Sequence, residues 1–223
     1  MLQQTLQLKA GDETGTAYLA APTNGGPAVL VLHAWWGLTP VFKRVCDRLA
    51  EAGFVALAPD LYAGRTASTI EEAEALLNQR NMPYMQALAV EAVKILRGHA
   101  LNATHGKIGS IGFSMGAAWV IALASELDDI TAGVLFYGAG NGDFARIKAA
   151  FQGHFAVGDE WEPDEGVQQM EQAMRKADVA VDFHRYSGVG HWFFEDDKPA
   201  HYNEPAAELA WERTLAFLRE HVN

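Results

Sequence analysis

The chain has little cysteine, comparatively few basic residues and no long apolar run. Its one cysteine, Cys46, cannot form a disulfide within the chain, and no histidine stands at ligand spacing around it, which excludes a zinc site there. Only 17 Lys and Arg oppose 28 Asp and Glu, and this net charge of -11 disfavours nucleic acids and anionic membranes as partners. No apolar run approaches the roughly 18 to 20 residues that span a bilayer, and Met1–Thr5 does not begin a secretory signal. We therefore expect a cytoplasmic protein.

The length and composition are those of one well-filled globular domain. The chain has 223 residues, of which 49% are hydrophobic and 20% are charged. No linker-like composition, internal repeat or low-complexity tract divides it, so the sequence predicts a single domain over 1–223. Nothing in the composition indicates an oligomeric state.

Short apolar runs predict the strands of a mostly parallel sheet. Leu6–Leu8 and Thr16–Ala21 flank a glycine-bounded turn and predict an N-terminal hairpin at an edge of the sheet. Continuous runs, typical of strands covered by helices on both faces, occur at 28–32, 54–58, 108–113 and 133–137, with weaker candidates at 155–157 and 179–183. Helical patterns fall between them, at 39–53, 83–98, 115–127, 167–177 and 207–222. This alternation predicts an α/β fold, a mostly parallel central sheet with helices on both faces.

A nucleophile elbow is predicted at Gly112-Phe113-Ser114-Met115-Gly116, which matches the pattern G-x-S-x-G. The motif ends an apolar strand and opens a helix, the context that exposes a serine hydroxyl above a sheet. Its glycines let the neighbouring backbone approach closely. The alternative is a glycine-rich turn with an ordinary helix-capping serine. The context favours Ser114 as a nucleophile.

A nucleophilic serine needs a base, and an acid that orients the base, in the chain order serine, acid, histidine. His191 is the preferred base, because it follows the strand that ends at Tyr186 through the glycine-containing turn 187–190. His184, inside a strand pattern, and His201, in a polar segment, are weaker candidates.

Asp159 is the preferred orienting acid, because it directly follows a predicted strand and precedes a helix. Glu162 and Asp164 are the fallback candidates. Negative side chains stabilise a helix N-terminus, so the acidic residues that follow Asp159 are explained without a metal. These residues are Glu160, Glu162, Asp164 and Glu165.

Ester hydrolysis also needs two donors for the oxyanion that forms on the carbonyl oxygen. The main-chain N–H of Met115, directly after the nucleophile, is one candidate. The main-chain N–H of Trp35, in the loop after the strand that ends at His33, is the other.

Aromatic residues follow several predicted strand ends, where α/β sheets bind ligands, so they predict an apolar pocket. We expect them to include Trp36, Trp161, Trp192 and Phe193. The long segment 61–82 is the candidate cap over this pocket. Asp60 is interpreted as structural or pocket-shaping, and Cys46 as a buried, inert thiol.

Over nearly its whole length the chain resembles the dienelactone hydrolase family of α/β-hydrolases. The matching segments are Pro59-Asp60-Leu61-Tyr62, the elbow, His154-Phe155-Ala156 leading to Asp159, Gly190-His191-Trp192-Phe193 and Trp211-Glu212-Arg213-Thr214-Leu215. The resemblance implies an α/β-hydrolase fold, a triad of Ser114, Asp159 and His191, and no metal or organic cofactor.

The chain departs from the best-known dienelactone-opening members of this family at three positions. Those members resemble one another in a cysteine nucleophile with a glutamate after the first buried strand, whereas this chain has Ser114 and Ala34. They also have an arginine for the substrate carboxylate four positions after the histidine, where this chain has Glu195. We therefore assign Glu195 to the substrate pocket, and we expect it to disfavour carboxylate-bearing lactones.

Together these features predict a serine carboxylic ester hydrolase that acts on uncharged or apolar small esters or lactones through an acyl-enzyme. A thioesterase or acyltransferase with the same triad is one alternative. A non-catalytic hydrolase-fold binding protein is the other.

Overall fold

A computed structural model describes residues 1–103 and 106–222 of the chain. The backbone divides into two units, Met1–Ile108 and Gly109–Asn223, each with its own strands and helices. The single domain expected over 1–223 stays a prediction.

The strands of the first unit are antiparallel at one end and parallel at the other. Strands β1 (Leu2–Ala10) and β2 (Glu13–Ala21) form the predicted hairpin, and β1 lies at the edge. Strand β2 pairs antiparallel with β4 (Val55–Pro59), which pairs parallel with β3 (Ala28–Leu32). Every residue of β3 and β4 is buried, as their continuous apolar sequences predict.

Among its described residues, the first unit contains the helices α1 (Pro40–Glu51), α2 (Ile70–Asn78) and α3 (Met82–Ala103). Helix α1 begins at Pro40 and buries an apolar face, in agreement with the helix predicted at 39–53. It packs against β4. The sequence analysis did not predict α2, which lies within the candidate cap 61–82. A capping box of Thr69 and Glu72 begins this helix.

The strands of the second unit are β5 (Ile108–Phe113), β6 (Ile130–Phe136), β7 (Ala150–Ala156) and β8 (Val181–Tyr186). Their order is β5-β6-β7-β8, and β7 is parallel to both β6 and β8. Strand β7 begins five residues earlier than the weak candidate at 155–157, and β8 extends three residues beyond the candidate at 179–183.

A buried polar network explains why β7 does not look like a buried strand in the sequence. The His154 ring is fully buried, with Nδ1 2.9 Å from the Tyr186 hydroxyl and Nε2 3.1 Å from both Gln152 and Thr214. Burial holds the pKa of His154 well below its usual value, so the ring is neutral. These partners satisfy the polar groups that interrupt the apolar pattern.

The helices of the second unit are α4 (Met115–Glu126), α5 (Asp164–Lys176) and α6 (Glu204–Val222), and a short 3-10 turn spans Phe144–Arg146. Helix α4 packs against β6, α5 against β8, and α6 against β6 and β7. Asp164 and Glu165 occupy the first turn of α5, where negative charge complements the helix dipole, as predicted. Arg175 and Lys176 in its last turn also complement the dipole.

Strand β5 and helix α4 meet at a turn that only glycine fits. A Cβ atom on Gly112 would collide with the main chain of Gly116 and lie 2.6 Å from the nitrogen of Ala117. Main-chain atoms cannot rotate away as a side chain can, so the backbone itself would have to move. The glycine at 112 is therefore a packing requirement of the turn.

We expect Gly112→Ala to lower the free energy of unfolding by about 2 kcal/mol or more, the typical cost of overpacking. Gly98→Ala is the matched control. Gly98 lies exposed in α3, and a methyl group added there would meet no atom within 4 Å beyond the backbone of its own helix. The same substitution at this position should therefore raise stability by about 0.5 to 1 kcal/mol. Urea unfolding measures both values, and a Gly112→Ala protein as stable as the wild type would contradict the packing argument.

Candidate active site

Ser114 lies between β5 and α4 in a strained backbone conformation. Its φ of 49° and ψ of -112° lie outside the regions that side-chain-bearing residues favour. Its main-chain N–H donates to the carbonyl of Phe136 at 2.9 Å. Although Ser114 stands at the N-cap position of α4, its side chain makes no capping hydrogen bond. The hydroxyl is therefore not used for helix capping.

The structure brings Ser114, His191 and Asp159 together. The Oγ atom of Ser114 lies 3.0 Å from Nε2 of His191, and Nδ1 of His191 lies 2.8 Å from Oδ2 of Asp159. A carboxylate only accepts hydrogen bonds, so Nδ1 carries the proton and Nε2 is left to accept the serine hydroxyl. This is the geometry of a nucleophile, a base and an acid that orients the base.

The other oxygen of the Asp159 carboxyl is fixed by the main chain. Oδ1 accepts from the N–H groups of Trp161 at 2.8 Å and Glu162 at 3.1 Å. The fallback acids are bonded elsewhere: Glu162 accepts from the N–H of Ala139 at 2.7 Å, and Asp164 accepts from that of Gly158 at 3.1 Å. Asp159 is thus the carboxylate that contacts the imidazole.

The weaker histidine candidates have other partners. His184 pairs with Asp182 at 3.1 Å, and its ring stacks on His154. The ring of His201 packs edge-on against Trp192, with centroids 4.8 Å apart. Of the three candidates, His191 is the one whose ring nitrogen contacts the serine hydroxyl.

A cavity of about 240 Å³ adjoins the imidazole. It is lined by Gly158, Asp159, Glu160, Trp161, Gly190, His191, Trp192 and His201. The rings of Trp161 and Trp192 lie 5.5 Å apart at its wall, and 44% of Trp161 is exposed. Two of the expected pocket residues, Trp161 and Trp192, therefore line a cavity beside the candidate base.

The chain is similar to known proteins over most of its length. The sequence model described as "Dienelactone hydrolase family" matches residues 16–222. "Protein usf" of Aquifex pyrophilus is 34% identical over 92% of this chain and 93% of its own. A "Putative carboxymethylenebutenolidase" of Aquifex aeolicus is 31% identical over 92% of this chain and 93% of its own.

The chain belongs to the dienelactone hydrolase family. Its fold is the α/β-hydrolase fold, with mostly parallel strands, as predicted. A solved structure of a dienelactone hydrolase-like promiscuous phosphotriesterase from metagenomic libraries matches with a TM-score of 0.88 and 21% identity, over 100% of this chain and 99% of that one. Membership of this family makes the chain a hydrolase-family protein, for which a small-molecule substrate is expected.

Glu195, which was assigned to the substrate pocket from the sequence, does not line the described cavity. Only 1% of Glu195 is exposed, and its Oε1 accepts a hydrogen bond from the Tyr137 hydroxyl at 2.9 Å. Burial raises the pKa of Glu195 to about 8, partly opposed by this hydrogen bond and by Lys198. Phe193 is also fully buried, so neither expected pocket residue lines the described cavity.

Tyr137 is a feature that the sequence analysis missed. It directly follows β6, has a φ of 36°, and places its ring 5.0 Å from the His191 ring. The sequence feature that could have identified Tyr137 is its position at the end of a predicted strand, directly before a glycine. A Cβ on Gly138 would collide with the main-chain oxygen of Ser114, so the chain after β6 runs directly beside the elbow.

Trp35 and Trp36 belong to the first unit, in the loop after β3, and their rings meet edge to face with centroids 5.4 Å apart. His33 fixes this loop: its Nδ1 is 2.7 Å from the carbonyl of Ala34, and its Nε2 accepts from the N–H of Leu61 at 3.1 Å. The roles of Trp35 as an oxyanion donor and of Trp36 as a pocket residue stay predictions.

Asp60 has the structural role considered from the sequence. Its carboxylate accepts from the main-chain N–H groups of Tyr62 at 3.2 Å and Gly64 at 2.7 Å, and so closes the turn after β4. Cys46 is buried, and burial raises the pKa of its thiol. A thiol with a raised pKa forms little of the reactive thiolate, which agrees with the inert thiol expected from the sequence.

Residues 1–103 and 106–222 lack two kinds of feature, a cluster of metal ligands and a helix that could span a membrane. Among these residues no group of three or more His, Cys, Asp or Glu side chains is placed to hold a metal ion. No helix within the same residues combines the length and the apolar character that crossing a bilayer requires.

The raised pKa of Glu195 predicts a specific pH dependence of stability. Since the unfolded carboxyl has its ordinary pKa near 4.5, the folded protein binds one more proton between about pH 4.5 and 8. The contribution of this carboxyl to the free energy of unfolding is therefore largest below about pH 4.5. It decreases as the pH rises to about 8, by up to about 5 kcal/mol in total.

Glu195→Gln should remove this slope, because the amide is neutral at every pH and still accepts from Tyr137. Denaturant unfolding of both proteins between pH 5 and 9 measures the difference. The variant should gain stability relative to the wild type as the pH rises, and parallel curves would contradict the assignment.

Proposed function

We propose that this chain is a serine-dependent carboxylic ester hydrolase of the dienelactone hydrolase family, acting on uncharged or apolar small esters or lactones. The observation that carries the proposal is the continuous contact from the Ser114 hydroxyl to Nε2 of His191, and from Nδ1 of His191 to Asp159. Family membership supports hydrolytic chemistry, and the contacts supply residues able to perform it.

In the acylation step, Oγ of Ser114 attacks the ester carbonyl carbon while its proton passes to Nε2 of His191. Asp159 stabilises the imidazolium that forms, because it accepts the Nδ1 hydrogen bond. The tetrahedral intermediate then expels the alcohol, which takes the proton from Nε2. The acyl group remains on Oγ as an ester.

In the deacylation step, water gives a proton to Nε2 of His191 as its oxygen attacks the acyl carbon. The carboxylic acid leaves and the proton returns to Ser114. In a lactone the alcohol stays attached to the acyl chain, so the product is a single hydroxy acid. The name carboxymethylenebutenolidase, carried by a relative, supports lactones as one substrate class.

Oxyanion stabilisation is assigned to main-chain donors. The N–H of Met115 is the first after Ser114 and begins α4, where the helix dipole favours negative charge. The N–H of Trp35 is the proposed second donor. Loss of one such donor typically costs about 3 to 4 kcal/mol of transition-state stabilisation.

The preference for uncharged or apolar substrates rests on the indole walls of the cavity beside His191. Trp161 presents an exposed ring there and Trp192 packs against it, so an apolar acyl or alcohol group gains contact area. Asp159 and Glu160 also line this cavity, and they disfavour a substrate carboxylate.

Ser114→Ala should lower kcat for an activated aryl ester by about 10⁴ to 10⁶, because members of a triad act as a unit. The wild type should show a burst of phenol and react at Ser114 with a fluorophosphonate, as read by intact mass and peptide mapping. Ser125→Ala is the matched control, because it removes a hydroxyl within α4 that donates to the carbonyl of Ile121 in the same helix, at 2.9 Å. Retained turnover in Ser114→Ala, or no reaction of the folded wild type with the fluorophosphonate, would contradict the mechanism.

Asp159→Asn should lower kcat by about 10³ to 10⁴, because an amide does not hold the Nδ1–H tautomer. Asp164→Asn removes the fallback acid, which bonds the N–H of Gly158, and should change kcat by less than about 10-fold. Steady-state kinetics on one aryl ester distinguish the two carboxylates. Equal losses in both variants would mean that the Asp159 contact has no special role.

A further inference from the structure

We propose that Tyr137 and Glu195 are positioning residues for the His191 imidazole, acting as a buried hydrogen-bonded pair that fixes the ring from its side. This inference rests on the proposed function. It concerns groups that touch neither the serine oxygen nor the described cavity, so they act through His191.

Tyr137 joins the nucleophile to the base. The residue before it, Phe136, accepts the main-chain N–H of Ser114 at 2.9 Å. The main-chain N–H of Tyr137 donates to the carbonyl of His154 at 2.8 Å, which ties this turn to β7. From this fixed backbone the phenol ring extends to the His191 ring, with the centroids 5.0 Å apart and the planes 56° from each other.

Glu195 holds the far end of that phenol. It lies in the turn that directly follows His191, and its main-chain N–H donates to the carbonyl of Trp192 at 3.0 Å. The bond from the Tyr137 hydroxyl to Glu195 therefore links the end of β6 to the segment that carries the base. A tyrosine without this bond would still fill the space, but its ring would no longer be held at both ends.

Burial favours the neutral, protonated forms of Tyr137 and Glu195. Tyr137 is fully buried and Glu195 is 1% exposed, and desolvation is the largest cause of their raised pKa values. The other charged groups that act on Glu195 are Lys198, which lowers its pKa, and Asp196 and Asp197, which raise it. Near neutral pH the Glu195 carboxyl is therefore protonated and adds no negative charge to the pair.

The two residues can be tested separately with conservative changes. Tyr137→Phe keeps the ring and removes the hydroxyl, Glu195→Met removes the acceptor, and Glu195→Gln keeps a neutral acceptor of the same shape. Tyr186→Phe is the matched control, because it removes another buried tyrosine hydroxyl, one bonded to His154 and Arg213.

We expect Tyr137→Phe and Glu195→Met to lower kcat for an aryl ester by about 10-fold or more, with KM changed less than about threefold, since small misplacements of a catalytic group are costly. Glu195→Gln should retain kcat at pH 7 within about threefold and should lose an ionisation near pH 8 that the wild-type profile contains. Tyr186→Phe should not change the pH profile.

A second measurement does not depend on turnover. In the Ser114→Ala protein, the Nδ1–H proton that His191 donates to Asp159 is observable by proton NMR as a downfield resonance, assigned by its loss in His191→Gln. Tyr137→Phe should broaden this resonance or speed its exchange with water, and Glu195→Gln should preserve it. This readout reports on the position of the ring even if Ser114 proves not to be the nucleophile.

Wild-type kcat and an unchanged His191 resonance in both Tyr137→Phe and Glu195→Met would overturn the proposal. An equal loss of kcat in Tyr186→Phe would overturn it too, because the effect would then follow any lost buried hydroxyl bond. A different result would contradict the proposed function: Ser114→Ala would turn over the substrate as fast as the wild type does.

Discussion

The backbone turn at Ser114 is the constraint on which the site depends. A residue with a side chain at positive φ is costly, on the order of 1 to 3 kcal/mol, and persists only where its surroundings impose it. Here the surroundings are main-chain contacts: the N–H of Ser114 is held by Phe136, and glycines at 112 and 138 allow the neighbouring backbone to touch the turn. The hydroxyl consequently faces His191 and takes no part in capping its own helix.

Two buried carboxyls in the second unit illustrate how local partners determine chemistry. Asp159 accepts hydrogen bonds from two main-chain N–H groups and from the imidazole Nδ1–H. Glu195 accepts one tyrosine hydroxyl, and burial raises its pKa to about 8, so near neutral pH it retains its proton. The same functional group is therefore suited to orient a base in one place and to brace a ring in the other.

Much of the fold could be predicted because apolar runs report burial directly. The bounds of β3 and β5 agree with the predicted runs, and the G-x-S-x-G motif identified the turn between β5 and α4. Strand β7 was predicted too short, because Gln152 and His154 interrupt its apolar pattern, and His154 is satisfied by Tyr186 and Thr214, far along the chain. Sequence patterns do not contain such long-range partners.

The residue types of the site could be predicted from the sequence, but the directions in which their side chains point could not. The order of Ser114, Asp159 and His191 along the chain was sufficient to select them, yet the interior position of Glu195 depends on which way the turn after His191 faces. Its protonation in the folded state has an electrical consequence. Near neutral pH this carboxyl carries no charge in the native protein, although the formal -11 counts it as ionised, so unfolding at that pH releases a proton from it.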